Sequence, residues 1–261
     1  MWSELRFNVY NATMAKQIKF FKAPRYLLRK LNILNVVDQL QVKSFIDVGC
    51  GAGELACSLA ERGYEGVGLD FSDEAIKCAK SIQKDRNIST KRLRFIKGNA
   101  SQITSKSDLV ICCEVIEHLK DDDAFLEEIK RSGEYFLFSV PARMKWFDRF
   151  DEMVGHYRRY EKDELTKQLN QHGYEVMDFM SYGYPYINIT RLVRKAMAGK
   201  VKPQDKIEDK TKQSGVNPIK TLKIQSLDIE PPMKLLYWLS KPFNRYNLSE
   251  GYLVLCRLSR S

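Results

Sequence analysis

The stretch Ile46–Ala56, IDVGCGAGELA, closes a short apolar run that begins at Ser44 and sets three glycines, Gly49, Gly51 and Gly53, in front of a helix-forming segment. A chain leaving the carboxyl end of a strand has to turn sharply there and let its backbone approach a ligand, and residues without Cβ permit both. The stretch therefore reads as a strand over Ser44–Val48, a turn, and a helix over Leu55–Glu61. A second apolar run, EGVGLDFS at Glu65–Ser72, ends in Asp70, 23 residues beyond Asp47. An acid at that place is positioned to accept both hydroxyls of a ribose. Glycine loop and acid together point to a nucleotide-like cofactor.

Working outward, Ser72 suits the N-cap of a helix over SDEAIKCAKSIQK, because its oxygen can accept free backbone N–H groups. Further strands follow at Leu93–Ala100, Ser107–Val115 and Gly133–Pro141, the last two separated by DDDAFLEEIKRS, a helix with acids in its first turn. Strands alternating with helices at this spacing imply crossover connections and a mostly parallel, doubly wound α/β sheet. A helix from Lys162 closed by Gly173 leads to a sixth strand over Tyr174–Ser181, and GYLVLCRL at Gly251–Leu258 is the last strand. The segment between those two strands is too long for a hairpin loop and must be an insertion. Three parts follow: N-terminal cap helices over 1–35, a core over 36–183 and 249–261, and a substrate-covering insertion over 184–248. The centre of the insertion is lysine-rich and poor in large apolar residues, whereas MKLLYWLSKPFNRY has apolar residues at helical intervals and is expected to pack as a lid.

The chain has 261 residues and a net charge of +10. That charge is uneven: residues 1–30 carry +6 and residues 191–223 carry +7, which leaves about −3 for the rest. Two basic flanks on a mildly acidic core are either solvated faces or surfaces that attract an acidic acceptor, a nucleic acid or a membrane surface. No run reaches the ~18 apolar residues of a membrane span, and the first residues lack the apolar stretch and cleavage site of an export signal. The six cysteines show no CxxC spacing and sit mostly in apolar segments, which fits reduced thiols in the cytoplasm.

D-V-G-C-G-A-G lacks the third glycine of the dinucleotide-binding G-x-G-x-x-G. It resembles instead motif I, (D/E)xGxGxG, of the class I S-adenosylmethionine-dependent methyltransferases, with Asp47, Gly49, Gly51 and Gly53 matching position by position. The resemblance extends over residues 44–181 through GVGLDFS, GNA and CCEVIEHL. It implies a seven-stranded sheet of order 3-2-1-4-5-7-6 with strand seven antiparallel, and S-adenosyl-L-methionine as cofactor. The residues it assigns to that cofactor are Asp47, Gly49, Cys50, Gly51, Gly53, Asp70, Phe71, Asn99, Ala100, Glu114 and Val115. Many relatives carry Asp where Asn99 stands; the Asn99 carbonyl oxygen can accept from the adenine amino group in its place.

EVIEHLKDDD lies at the end of strand four, and VGHYRRY places His156 after strand five, facing the same edge. Three readings of this edge stand side by side. His118 is a general base, or Glu114, Glu117, His118 and His156 bind a divalent metal, or these residues only support cofactor and fold. The metal reading rests on a likeness to small-RNA 2′-O-methyltransferases and ubiquinone-pathway O-methyltransferases, which share E-x-x-E-H. GHYRRY resembles a segment recurrent in bacterial small-molecule methyltransferases, where Arg158 and Arg159 would clamp a carboxylate or phosphate. In relatives an N-terminal helix closes over the cofactor, which makes Tyr10 a minor candidate. The function expected is methyl transfer to an oxygen or nitrogen of a small molecule, with His118, His156 and Arg158 at the reacting end. The alternatives are a nucleic-acid methyltransferase and a cofactor-binding protein without turnover.

Overall fold

The computed structural model describes residues 23–198 and 229–259. Seven strands, β1 (Ser44–Val48), β2 (Glu65–Asp70), β3 (Leu93–Lys97), β4 (Ser107–Cys113), β5 (Gly133–Pro141), β6 (Tyr174–Ser181) and β7 (Gly251–Leu258), form one sheet of order β3-β2-β1-β4-β5-β7-β6. The first five run parallel, and β7 lies antiparallel between β5 and β6. This is the order the motif resemblance implied.

Phe136–Pro141 of β5 and Gly251–Cys256 of β7 are buried throughout. Strands covered on both faces are near-continuous apolar runs for that reason. One face of the sheet is covered by α1 (Pro24–Val37), α2 (Glu54–Glu61) and α3 (Asp73–Asp85), through a core that includes Leu27, Ile33, Leu59 and Ala79. The other is covered by α4 (Asp122–Ile129) and α6 (Lys162–Gln171), through Leu126, Ile129, Leu165 and Leu169. The short α5 (Arg149–Val154) lies between β5 and α6.

Local chemistry sets where these elements begin and end. Ser72 caps α3 as its sequence context predicts, its hydroxyl accepting from the Ala75 amide at 3.2 Å. Asp121 caps α4 in the same way, accepting from Ala124 at 2.8 Å. Three strands are shorter than expected: β3 ends at Lys97, and the other two stop where the backbone turns toward the site. β2 ends at Asp70, whose carboxylate takes up the Ser72 amide that follows, and β4 ends at Cys113 because Glu114 adopts a left-handed φ of 56°.

Between β6 and β7 lie α7 (Tyr186–Ala198), α8 (Glu230–Ser240) and a 3-10 turn at Lys241–Phe243. The α8 end is tied to α1 by Lys241 Nζ to Asn35 Oδ1 at 3.2 Å and by Asn244 Nδ2 to Asn32 Oδ1 at 2.7 Å. The segment expected to pack as a lid forms a helix on α1, with only part of its apolar stripe turned inward: Met233 is buried, while Leu235, Trp238 and Leu239 are exposed. Tyr10 and the lysine-rich centre of the insertion lie outside the described residues. Among the described residues no helix is long and apolar enough to cross a membrane.

Gly53, at φ 71°, starts α2, and a Cβ on it would meet Phe95 Cζ at 2.5 Å and Ala79 Cβ at 2.7 Å. Gly53→Ala is expected to lower stability by about 1–3 kcal/mol, from overpacking and from forcing a side chain into left-handed backbone. Urea unfolding checks this, and an unchanged midpoint would contradict the packing described.

Candidate active site

The loop between β1 and α2 holds Gly49, Gly51 and Gly53 at φ of 72°, 52° and 71°. A Cβ on Gly49 would sit 2.6 Å from Val115 Cγ2, so Val115 closes over the loop from the end of β4. The loop is fixed by the neighbouring strand. Asp70 Oδ2 accepts from the Gly51 amide and Oδ1 from the Ser72 amide, both at 2.9 Å. Each carboxylate oxygen keeps further acceptor capacity, so the group that holds the loop can also receive two hydroxyls. Burial pushes the Asp70 carboxyl up, against the two amides that pull it down.

Asp47 is buried beside this loop, and its Oδ2 has no hydrogen-bond partner. Burial, then the Asp70 charge, push its carboxyl up to about 7. A buried acid left without a donor is costly unless a ligand supplies one, and an ammonium group is the complementary ligand. The Cys50 amide is bonded to the Leu69 carbonyl at 2.9 Å, and burial pushes its thiol up, away from the reactive thiolate. Phe71 is exposed next to Asp70, Ala100 is buried, and Asn99 is exposed with its Oδ1 accepting from the Ser101 hydroxyl at 2.6 Å. Among the predicted cofactor residues, these form a loop, two acids and a rim at the carboxyl ends of β1, β2 and β3.

The E-x-x-E-H segment separates into two environments. Glu114 accepts from Ser139 Oγ and Arg25 Nη2, both at 3.0 Å, and pairs with Arg29 Nη1 at 3.1 Å. Burial alone would raise its carboxyl, but Arg25 and Arg29 outweigh that and hold it at about 2. Glu117, three residues on, is fully buried and neither of its carboxyl oxygens has a hydrogen-bond partner. Burial, then the charge on Glu114, push its carboxyl well above the usual range.

His118 and His156 complete the second environment. Their rings meet edge to face with centroids 4.7 Å apart, and His156 Nε2 is 3.9 Å from Glu117 Oε1. His118 Nδ1 faces the Gly155 carbonyl at 3.1 Å, which can only accept, so that nitrogen carries the proton and Nε2 presents a lone pair. His156 Nδ1 faces Asp151 Oδ1 at 2.7 Å, so that nitrogen carries a proton and Nε2 is turned away from Asp151. Burial, then the His156 ring, push the His118 imidazole down to about 4 and keep it neutral at pH 7. Glu117, His118 and His156 each offer one ligand atom, all within 4.8 Å of one another. One imidazole kept neutral, a second beside it and an orphaned carboxyl, braced from behind by a carbonyl and a carboxylate, fit a divalent cation.

Two expectations need correction. Glu114 does not join the ligand cluster: its carboxylate is taken by Arg25, Arg29 and Ser139, so three of the four expected ligands converge. Nor is Arg158 set out as a clamp for an acidic acceptor. Its guanidinium pairs with Asp122 and donates to the carbonyls of Leu119 at 3.0 Å and Lys120 at 2.6 Å, which secures the β4–α4 connection. Arg159 is buried against Asp151, with Nε 3.0 Å and 2.9 Å from its two oxygens. Asp151, Arg25 and Arg29 had escaped the sequence reading. The spacing D-x-x-x-x-H-x-x-R was a signal for the first. For the arginines the signal was only the four-residue interval that puts both on one helix face.

Seven strands in this order, with a left-handed glycine loop after the first and an acid at the end of the second, make up the class I methyltransferase fold, and this chain has it. Residues 41–181, more than half the chain, match the family model described as a methyltransferase domain, and the chain belongs to that family. Among curated relatives, the chain is 35% identical over 118 residues to a ubiquinone biosynthesis O-methyltransferase of Nitrosomonas europaea, covering 42% of this chain and 50% of that one. It is 32% identical over 115 residues to the norajmaline N-methyltransferase of Rauvolfia serpentina, covering 42% and 39%. The chain thus spans about half the length or less of these two relatives. Among solved structures, magnesium protoporphyrin IX methyltransferase from Synechocystis PCC 6803 with bound SAH is similar in fold, with a TM-score of 0.51 at 19% identity over 60% of this chain and 75% of that one.

An acid whose pKa rises on folding contributes stability that is full below its unfolded value and is lost as pH climbs through the folded one. For Asp47 that window runs from 3.8 to about 7. Asp47→Asn is therefore expected to make the ligand-free protein more stable than wild type at pH 8, by about 2–4 kcal/mol, with the difference shrinking toward pH 5. Urea unfolding across this range tests it; a difference that does not change with pH would remove Asp47 as the source.

Proposed function

We propose that the chain transfers the methyl group of S-adenosyl-L-methionine to an oxygen or nitrogen of a small-molecule acceptor. The observation that carries this is the glycine loop tied to Asp70, with the orphaned Asp47 beside it, on a sheet of the methyltransferase family. The two relatives named above are an O- and an N-methyltransferase, which supports the acceptor class.

When bound, this cofactor supplies a methyl group on a sulfonium sulfur, so the leaving group needs no protonation. The chain's part is position and proton removal. Asp47 receives the ammonium of the methionine moiety, Asp70 the ribose hydroxyls, and Asn99 and Ala100 the adenine edge, with Phe71 alongside. With the cofactor held there, the chain would align the acceptor atom with the methyl carbon, the bonding pair would stay on sulfur, and the Glu117–His118–His156 corner would take the acceptor's proton.

That corner supports an oxygen acceptor assisted by a divalent cation over a lone histidine base. The observation favouring it is Glu117, fully buried with two oxygens lacking partners and within 4.8 Å of a ring nitrogen of both His118 and His156. A cation held there would lower the pKa of an acceptor hydroxyl. Asp151 and Gly155 would hold the imidazoles in the ligating tautomer, and Arg25 and Arg29 would keep Glu114 out of the ligand set. The division into a cap closing over the cofactor, a catalytic core and an insertion facing the acceptor belongs to this reading, as does a cytoplasmic location, which the six free cysteines suit.

Calorimetric titration with S-adenosylhomocysteine tests the core of the proposal. Wild type is expected to bind and Asp70→Ala to lose binding; no binding by wild type would end the assignment. A Co²⁺ titration followed by absorption tests the corner separately. Wild type is expected to develop the bands of a nitrogen- and oxygen-ligated ion, and Asp151→Asn to weaken that affinity by about 10–100-fold with S-adenosylhomocysteine binding unchanged. Absence of the bands in wild type would return His118 to the role of a base.

A further inference from the structure

Twelve large apolar side chains are exposed among the described residues, and eight of them belong to the segments flanking the centre of the insertion: Ile189, Leu192, Leu235, Trp238, Leu239, Phe243, Tyr246 and Leu248. Trp238 is 69% exposed, Leu235 60% and Leu192 62%. On α8 the exposed Leu235, Trp238 and Leu239 recur at three- and four-residue intervals, so they share one face, opposite Met233, which is buried. The turn after α8 continues the pattern with Phe243. It meets the start of α7 through the Tyr184–Phe243 ring contact at 5.6 Å and through Asn188 Nδ2 donating to the Leu248 carbonyl at 2.8 Å. Both segments therefore present their apolar groups at one end of the molecule.

The charge at this end has a single sign. Residues 182–198 contain no acid, and residues 229–249 contain one, Glu230, which pairs with Lys30 at 3.5 Å. Lys234, Lys241 and Arg245 are exposed, and no ion pair to an acid engages them among the described residues. Lys241 and Arg245 instead lie over the Tyr237 and Tyr246 rings, 5.2 Å and 4.9 Å from their centroids.

An aqueous surface rarely keeps so many large apolar groups together without a partner. Tryptophan, tyrosine and leucine interleaved with lysine and arginine, and almost without acids, match one environment in particular. Aromatic rings settle at headgroup depth, aliphatic groups reach the acyl boundary, and cations meet lipid phosphates. We propose that the α8 face, with the Lys241–Leu248 segment that follows it, docks this protein on an anionic lipid surface. The same segment runs on to Asn247, which accepts from Arg143 Nη2 at 3.2 Å and from the Tyr252 hydroxyl at 2.7 Å, and then to Glu250 beside Arg25 at 3.6 Å. Docking there holds the carboxyl edge of the sheet close to the bilayer. This inference stands on the surface alone and does not depend on the identity of the acceptor.

Co-sedimentation of the full chain with vesicles of phosphatidylcholine alone, or of phosphatidylcholine with phosphatidylglycerol, tests it. The expected result is binding to the anionic vesicles that weakens with salt. A blue shift of tryptophan emission should accompany binding and disappear in Trp238→Phe. Leu235→Ser with Leu239→Ser, and separately Lys241→Glu with Arg245→Glu, should each reduce partitioning by about tenfold or more. S-adenosylhomocysteine affinity and circular dichroism serve as the check that these variants fold. Absence of vesicle binding by wild type overturns the proposal. So does binding that survives both pairs of substitutions but is lost when Lys16, Lys19 and Lys22 are changed to Glu, which assigns the contact to the N-terminal segment. Self-association in sedimentation that Trp238→Ser abolishes, without vesicle binding, makes the face an interface between copies and equally overturns it.

Discussion

The hydrogen bond from the Gly51 amide to the Asp70 carboxylate joins the loop after one strand to the end of the next, and the rest of the site is built around it. For the bond to form, the backbone must pass through three left-handed glycines, and the strand carrying Asp70 must stop where its carboxylate can turn back. Parallel pairing of β1 with β2, Asp47 opposite Gly68, brings the two acids to the same edge. Burial, and then the proximity of the two acids, raise the Asp47 carboxyl. Such strain is usual where a ligand is to be received.

The second constraint is how the carboxyl edge distributes charge. Glu114 and Glu117 are three residues apart and both removed from water, yet one is driven down and the other up. The difference lies in what each one faces. Two guanidinium groups from α1 neutralise Glu114, whereas Glu117 lies near imidazole nitrogens and has no hydrogen-bond partner. Carboxyls pushed in opposite directions by their surroundings are the physical sign of divided roles. Here Glu114 ties α1 to the sheet, while Glu117 is left without a hydrogen-bond partner. Arg159 and Asp151 extend the pattern inward: the arginine fixes the carboxylate, which in turn orients His156.

Much of this was legible along the chain. The glycine spacing, Asp70 and the apolar runs lead to the strands and the loop, because a strand period, a turn without Cβ and an acid are local properties, while the strand order came from the motif resemblance. Gly173 and Ser72 end and begin helices for reasons that lie within a few residues of each. The division between Glu114 and Glu117 was not legible. It depends on Arg25 and Arg29, about ninety residues earlier, and nothing in the local spacing announces which carboxylate they will meet. Arg158 and Arg159 look alike in sequence, but one secures a loop at the surface and the other is buried against Asp151. Helical intervals in MKLLYWLSKPFNRY indicated a helix correctly, but periodicity does not say whether an apolar stripe faces protein or solvent.

The sequence by itself determined the strands and the place where a nucleotide-like cofactor would lie, since both follow from short-range periodicity and backbone permissiveness, and its motif likeness implied the strand order. Only the tertiary structure decided which charges are paired. Burial and distance set a carboxylate's state, and both are products of chain segments far apart in sequence meeting at one edge. For that reason the three-residue cluster, the clamp on Glu114 and the exposed face of α8 emerge from the folded molecule and not from its letters.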